Sequence, residues 1–284
     1  MRQSAAVVAT RLIPRTLGCR SVTMPSVHQR AIPLDSDIRE RLIEAARLAT
    51  IGRLVASFVH QISTPLAAIS LRAESLEKSG LGAAQPAAPD KARRYLQAIG
   101  EEASRCRQLL GALREFGGPL DAEVEPVDLA ALCRSATLLA RDETVRRQVE
   151  VELRLEEPLP PVRGVKGRLG QAVMSLLLNA VEASPAGASV VLQARMSGQE
   201  ALVLSVSDQG AGFPSELSSR LFEPFVSSRP PTGGLGLGLM ACRAVAEAHG
   251  GWLEARTEGR GVRVRLWLPL AGGGEGISAE DAGA

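Results

Sequence analysis

Aromatic residues are scarce in this chain of 284 residues, at 3%, so its cores have to be built from Leu, Val, Ile and Ala. Cores of that kind favour helices, in which Ala and Leu have high propensity. Long apolar runs are missing too. Charges interrupt every stretch before it reaches the roughly 18 residues that a membrane helix needs, so no transmembrane segment is predicted. Cys19, Cys106, Cys133 and Cys242 form no C-x-x-C pair, and with only His28, His60 and His249 present no zinc pattern exists. Buried, reduced thiols in a cytoplasmic protein are the expectation. Acids are absent from positions 1–34, where Arg2, Arg11, Arg15, Arg20 and Arg30 give a charge of +5. The remainder holds 28 basic against 31 acidic side chains, a balance of −3 that argues against direct nucleic-acid binding.

What is present is ordinary for a globular protein: 45% hydrophobic and 23% charged residues, over a length that suggests two domains. Residues 1–36 read as a basic, disordered leader. Its composition also suits a transit peptide, or a start displaced from Met24. A helix is predicted over 37–78, because Val55, Phe58, Ile62, Leu66, Ile69, Ala73 and Leu76 advance in steps of three and four. Residues 80–89, rich in Gly, Ala and Pro, form a turn. A second helix runs from Asp90 to Phe116, with the seam Leu96, Ile99, Ala103, Cys106, Leu110 and Leu113. A lone hairpin of two such helices cannot bury both seams, so residues 37–118 should pair with a second copy as a four-helix homodimer.

After an acidic linker the pattern changes. Over 126–270 the sequence predicts helices at Asp128–Arg147, Arg168–Ala183 and Leu235–His249, and strands at Val149–Leu155, Ser189–Met196, Leu202–Ser207, Trp252–Ala255 and Val262–Leu268. Prolines 158, 160 and 161 break the chain, and residues 271–284 read as a disordered tail.

Four segments carry chemistry. In FVHQISTPLAAI, His60 lies off the apolar seam and so faces water, with Thr64 on the same face one turn away. Pro65 removes the amide that would bond to the Gln61 carbonyl and loosens the helix there. An exposed imidazole is largely neutral at pH 7 and nucleophilic, although a surface histidine is usually only that. RLGQAVMSLLLNAVEAS sets Asn179 on an amphipathic helix, and VSDQGAGFP puts Asp208 after a strand, followed by Gly210 and Gly212. In GGLGLGLMACRAVAEAHGG, Gly234, Gly236 and Gly238 open a helix whose amides and dipole can face phosphate. Neither the P-loop pattern nor a preceding strand of a dinucleotide fold accompanies these glycines.

In order and spacing, these segments resemble the sensor histidine kinases of two-component signalling. FVHQISTPL is similar to their H box, RLGQAVMSLLLNA to the N box, DQGAG and GGLGLGL to the two glycine boxes, and LFEPF (Leu221–Phe225) to the F box. The resemblance implies a dimerisation and phosphotransfer hairpin followed by an α/β two-layer sandwich that binds ATP, as in gyrases and heat-shock chaperones. It implies that His60 takes the γ-phosphoryl group of ATP and passes it to an aspartate on a response-regulator receiver domain. It further implies that Asn179 holds Mg2+, that Asp208 reads the adenine amino group, and that Thr64 supports dephosphorylation of the regulator. Gly210, Gly212, Gly234, Gly236 and Gly238 then shape the nucleotide loops, Phe222 and Phe225 anchor the lid, and Arg229 stands where relatives carry a lid lysine. Core packing for the two phenylalanines, and a bond from Thr64 to a carbonyl of the preceding turn, are the structural alternatives.

Two positions depart from the pattern. Gln61 stands where the family usually has an acid beside the histidine, and Ser175 where the N box usually has Asn or Glu. Gln61 can accept a hydrogen bond from the ring but cannot take its proton, which predicts slow autophosphorylation; a solvated Gln61 with no role is the alternative. A degenerate member, binding nucleotide and acting as a phosphatase or regulatory protein, is the reading these departures open. A water-using ATPase fits less well, since Ser175 lacks the carboxylate that would deprotonate water. With no sensor domain readable in the leader, a separate sensor protein is the expected source of input.

Overall fold

The structure, a computed structural model, describes residues 35–80, 89–116, 123–217, 220–226 and 236–270. The predicted leader, inter-helix turn and tail lie outside those residues except at their edges, where Ser36, Gly80 and Pro89 belong to helices. Helix α1 spans Ser36–Gly80, and its 45 residues extend about 67 Å at 1.5 Å each. It keeps Pro65 in its interior and packs along α2, Pro89–Phe116.

The predicted seams are used, but not only within the hairpin. Phe58 and Ile62 of α1 pack against a buried cluster that joins α2 to the following domain, whereas Val55 and Leu66 remain about half exposed. On α2, Leu96 and Leu110 point outward, while Leu109 and Ala112 are buried in the second domain's core. The single predicted seam of α2 is therefore corrected to two faces, because this helix also rests on the second domain.

That domain opens with β1 (Glu125–Val127), which pairs antiparallel with β3 (Val162–Gly164), a two-stranded piece that the proline-rich local sequence conceals. One helix was predicted over Asp128–Arg147. Two are present, α3 (Leu129–Leu139) and α4 (Arg141–Arg147), meeting at Ala140. The Asp128 carboxylate starts α3 by accepting the Ala131 N–H at 3.0 Å, a cap worth about 1 kcal/mol. Then follow β2 (Glu150–Leu155), α5 (Lys166–Ala183), β4 (Ser189–Ser197), β5 (Ala201–Ser207), a single 3-10 turn at Ser215–Leu217, α6 (Gly238–Ala248), β6 (Trp252–Glu258) and β7 (Gly261–Pro269). Helix α6 begins later than the predicted Leu235, because Gly236 has φ +66° and cannot belong to a right-handed helix.

The main sheet runs β2-β4-β5-β7-β6. Its β2–β4 pair is parallel and the other pairs are antiparallel. Helix α5 lies between β2 and β4 in sequence and packs on β4 and β5, so it makes the crossover that a parallel pair requires. Leu132 of α3, Leu177 of α5, Ala246 of α6 and the strand residues Leu192, Leu204 and Leu266 are completely buried in one cluster. Burying each such leucine contributes about 1.5–3 kcal/mol. Because α5 is covered by the sheet on one side and by α2, α3 and α6 on others, it is apolar around most of its circumference.

Candidate active site

His60 stands exposed on α1, as its place off the apolar seam predicts. One turn on, the Thr64 hydroxyl donates to the His60 carbonyl at 3.1 Å, the back-bond expected of a helical threonine. For Gln61 the solvated alternative does not hold: its side chain is 8% exposed, and Nε2 donates at 3.0 Å to the carbonyl of Leu139, at the end of α3. A helix leaves its last carbonyls without intrahelical partners, so Leu139 offers an acceptor of the kind Gln61 can satisfy. The phosphotransfer helix is thereby tied to the second domain at the residue next to His60.

In the second domain, Asn179 and Ser175 of α5 meet Gly238 at the N-terminus of α6. Gln171, Ser175 and Asn179 recur at intervals of four along α5 and share one of its faces. A Cβ placed on Gly238 would lie 2.9 Å from Asn179 Nδ2 and 3.1 Å from Ser175 Oγ, so only glycine lets the start of α6 approach this face so closely. Among the described residues no side chain caps that end of α6, where the first amides can face a ligand. Ser175, 3% exposed, has the Cys242 thiol as a polar neighbour, and Gln171 Oε1 makes no hydrogen bond among the described residues. The nearby Cys242 thiol donates to the Ala172 carbonyl at 3.6 Å; burial pushes it up to about 12, against a smaller opposing effect of the Ser175 hydroxyl. Cys133 is likewise pushed up to about 12 by burial, so both thiols are inert packing residues.

Asp208 is held at the end of β5 by backbone. Its Oδ1 accepts the N–H groups of Gly210 at 2.8 Å and Val262 at 3.1 Å, which fix the carboxylate plane. Gly210 is required by proximity: a Cβ there would meet the Ala183 carbonyl oxygen at 2.6 Å. Gly212 is required by conformation, at φ +79°, and sits against Thr257, whose hydroxyl accepts the Phe213 N–H at 3.3 Å. Gly236 touches the segment that precedes it in space, since a Cβ there would meet the Val226 carbonyl at 2.7 Å.

The two phenylalanines part company. Phe222 packs on the core with the Arg243 guanidinium 5.6 Å over its ring, whereas Phe225 is 66% exposed in a left-handed conformation, φ 64°. Arg229 and Gly234 lie outside the described residues. Sequence reasoning missed the Leu139 carbonyl, the Val262 amide and Thr257, all of which reach the site across 40 or more residues and carry no local signal. It also gave no role to His249. The ring of His249 bridges two elements, with Nε2 accepting the Val165 N–H at 3.0 Å and Nδ1 on the Val245 carbonyl at 2.7 Å. Burial, helped by the charge of Arg168, holds its pKa below the usual 6.5 against the bond to Val245, so the neutral tautomer protonated at Nδ1 fits both partners.

The family described as His Kinase A (phospho-acceptor) domain matches residues 50–117, and that described as Histidine kinase-, DNA gyrase B-, and HSP90-like ATPase matches residues 164–272. The chain belongs to the sensor histidine kinases. Sensor histidine kinase ZraS of Escherichia coli O157:H7 is 27% identical over 234 residues, covering 82% of this chain and 49% of that protein. Signal transduction histidine-protein kinase AtoS of Escherichia coli (strain K12) is 27% identical over 263 residues, covering 88% of this chain and 42% of its own. Among solved structures, that of Mycobacterial sensor histidine kinase MprB is 31% identical, with 51% of this chain and 97% of that one covered at a TM-score of 0.45. The chain spans about half the length of the curated relatives it matches. In this histidine kinase, His60, Gln61 and Thr64 fall within the phospho-acceptor match, and Asn179, Asp208 and the glycines that follow fall within the ATPase match. The domain of β1–β7 and α3–α6 is thus an ATP-binding domain of the gyrase and chaperone kind. No helix among the described residues is long and apolar enough to cross a membrane.

Proposed function

We propose that the chain is an ATP-dependent protein-histidine kinase that phosphorylates itself on His60 and hands the phosphoryl group to an aspartate of a response-regulator receiver domain. One observation carries this reading most directly: an exposed histidine within the phospho-acceptor match, in the same chain as an ATP-binding domain match. Bound Mg-ATP supplies the phosphoryl group and the metal charge that neutralises it during transfer. Magnesium keeps several waters and takes few protein oxygens, so the Asn179 amide, with the buried Ser175 hydroxyl beside it, fits such an ion without a carboxylate cluster. Among the described residues no group of three or more His, Cys, Asp or Glu forms one.

His60 offers an exposed ring nitrogen as nucleophile, and a loose transition state asks little of a nucleophile. Asp208, fixed by two amides, reads the adenine edge, and the amides of α6 receive phosphate oxygens. The half-exposed apolar side chains Val55, Leu66, Leu96 and Leu110 support a homodimer that covers them in a four-helix bundle. Thr64 supports dephosphorylation of the regulator, and the cytoplasm supplies both ATP and that partner.

The test is incubation with γ-labelled ATP and magnesium, scored for acid-labile protein phosphate. Label is expected on wild type and lost in His60→Gln. Label that persists in His60→Gln removes the assignment, and ATP binding with no label in either form favours the degenerate, regulatory reading.

A further inference from the structure

We propose that Gln61 is a positioning residue, a latch that docks the phosphotransfer helix on the ATP-binding domain with His60 out of reach of the nucleotide, so that autophosphorylation requires the latch to open. The inference rests on His60 being the phosphorylated residue, but its own evidence is geometric.

Three contacts define the docked arrangement. At its centre, the buried Gln61 amide bonds to Leu139, a residue 78 positions away in the other domain. Phe58, three residues back, and Ile62, the next residue on, pack on the buried cluster that joins Leu109 and Ala112 of α2 to the ATP-binding core. Further toward the N-terminus of α1, Leu42, Ile43, Ala45 and Ala46 close over Leu237, Met240 and Ala241, the residues that begin α6, and Ala46, Leu237, Met240 and Ala241 are all buried there.

The last contact fixes the height of the nucleotide end. Ala46 and His60 are 14 residues apart, about 21 Å along an α-helix. A phosphate held by the first amides of α6 therefore lies roughly 20 Å along α1 from the imidazole. In-line attack needs the reacting atoms about 3–3.5 Å apart. A two-fold bundle sets the second copy's site at the same height, so the gap is the same whether transfer is within or between chains.

Why Gln61, and why not an acid there? A carboxylate cannot donate to the Leu139 carbonyl, and a buried carboxylate facing a carbonyl oxygen is repelled. An amide can donate, at the cost of the base the family usually places beside its histidine. The departure from the family pattern thus acquires a physical purpose: the residue that would assist the chemistry instead holds the domains together. One net hydrogen bond shifts such an equilibrium about two- to tenfold, enough for an input signal to bias.

The experiment uses the full chain with cysteines introduced by Ala46→Cys and Ala241→Cys. Mild oxidation is expected to cross-link this pair, and the cross-linked protein should bind a fluorescent ATP analogue as before yet label His60 at least tenfold more slowly, with thiol reductant restoring the rate. Gln61→Met, similar in shape but unable to donate, should slow cross-linking about two- to tenfold and raise the labelling kcat by a similar factor at unchanged KM for ATP. Gln61→Leu repeats the measurement should the thioether perturb packing. The latch is overturned if no cross-link forms, if cross-linked protein labels at the free rate, or if Gln61→Met lowers labelling with cross-linking unaltered, which places Gln61 on the His60 ring instead. Cross-linking rates need no kinase activity. A protein that never labels but whose cross-linking slows in Gln61→Met would keep the latch and sink the kinase reading.

Discussion

The hairpin and the ATP-binding domain are built from the same aliphatic residues but close their surfaces differently. In the domain, leucines on three helices and a five-stranded sheet meet in a cluster with almost no exposure. In the hairpin, Leu48, Leu66, Leu71, Leu96 and Leu110 stay about half exposed or more, and much of what is buried is buried against the domain. One region completes its own core. The other has much of its stability lent by a neighbour, and keeps apolar surface to spare.

The sharpest way to break this comparison is to cut each core. Leu177→Ala removes a completely buried side chain from α5 and should cost about 2–5 kcal/mol, read as a lower denaturation midpoint of the ATP-binding domain. Leu66→Glu, at a half-exposed hairpin position, should leave that midpoint alone and instead shift dimer to monomer in sedimentation at micromolar concentration. Equal effects of the two on domain melting would erase the distinction.

The next largest effect belongs to the nucleotide face. Asn179→Ala is expected to weaken magnesium-dependent ATP binding about 10- to 100-fold, the range seen when a group supporting a bound metal is lost. Binding measured with and without magnesium by titration calorimetry decides it, since a variant that merely loosens α5 would weaken both alike.

How much of this was legible in the residues depends on reach. Helices α1, α2 and α5 and the β4–β5 hairpin follow from periodicity within a dozen residues, and the structure places them within a few residues of expectation. The break at Ala140 escaped because Leu138, Leu139 and Ala140 are good helix formers, and the chain turns there for tertiary reasons. The β1–β3 pair escaped because prolines hide strands that need only a few ladder bonds. Asp208 was legible as a carboxylate after a strand. Its fixing by Val262, 54 residues on, was not. Gln61 was legible as an anomaly, but its partner, a backbone carbonyl, leaves no trace in sequence at all.

A smaller effect separates the regions by pH. Of the histidines in the described residues, His60 is exposed and His249 is buried and neutral, bridging β3–α5 to α6. Burial depresses the folded pKa of His249 below its usual 6.5, so the unfolded chain binds more protons as pH falls. Its contribution is complete above pH 6.5 and is lost as pH falls through the lower folded value. The ATP-binding domain should therefore melt at progressively lower temperature from pH 7 toward pH 5. His249→Gln, which retains an acceptor for the Val165 amide without titrating, should start less stable and flatten that slope. An unchanged slope would mean that another group sets it.

The smallest expected change in stability is at Thr64, and there the hairpin answers through function alone. Its exposed hydroxyl donates to the His60 carbonyl in a bond that water can replace, so Thr64→Ala removes little. Alanine also has the higher helix propensity, by up to about 0.7 kcal/mol, which offsets the lost bond. Melting should move by no more than about 0.5 kcal/mol in either direction. Autophosphorylation should stay within about twofold, since no step of phosphoryl transfer to the ring needs this oxygen, and about twofold is well under 1 kcal/mol of barrier. Dephosphorylation of the regulator is different. On the proposed function, a hydroxyl one turn from His60 lies on the face that a receiver domain would approach, and its lone pairs remain able to orient a water even while its proton is given to the helix backbone. Thr64→Ala should therefore slow loss of regulator phosphate about tenfold, with Thr64→Ser restoring most of it. A phosphatase rate equal to wild type in Thr64→Ala would leave the back-bond as the whole role of this residue, and would make the hairpin's exposed face around His60 a site for transfer in one direction only.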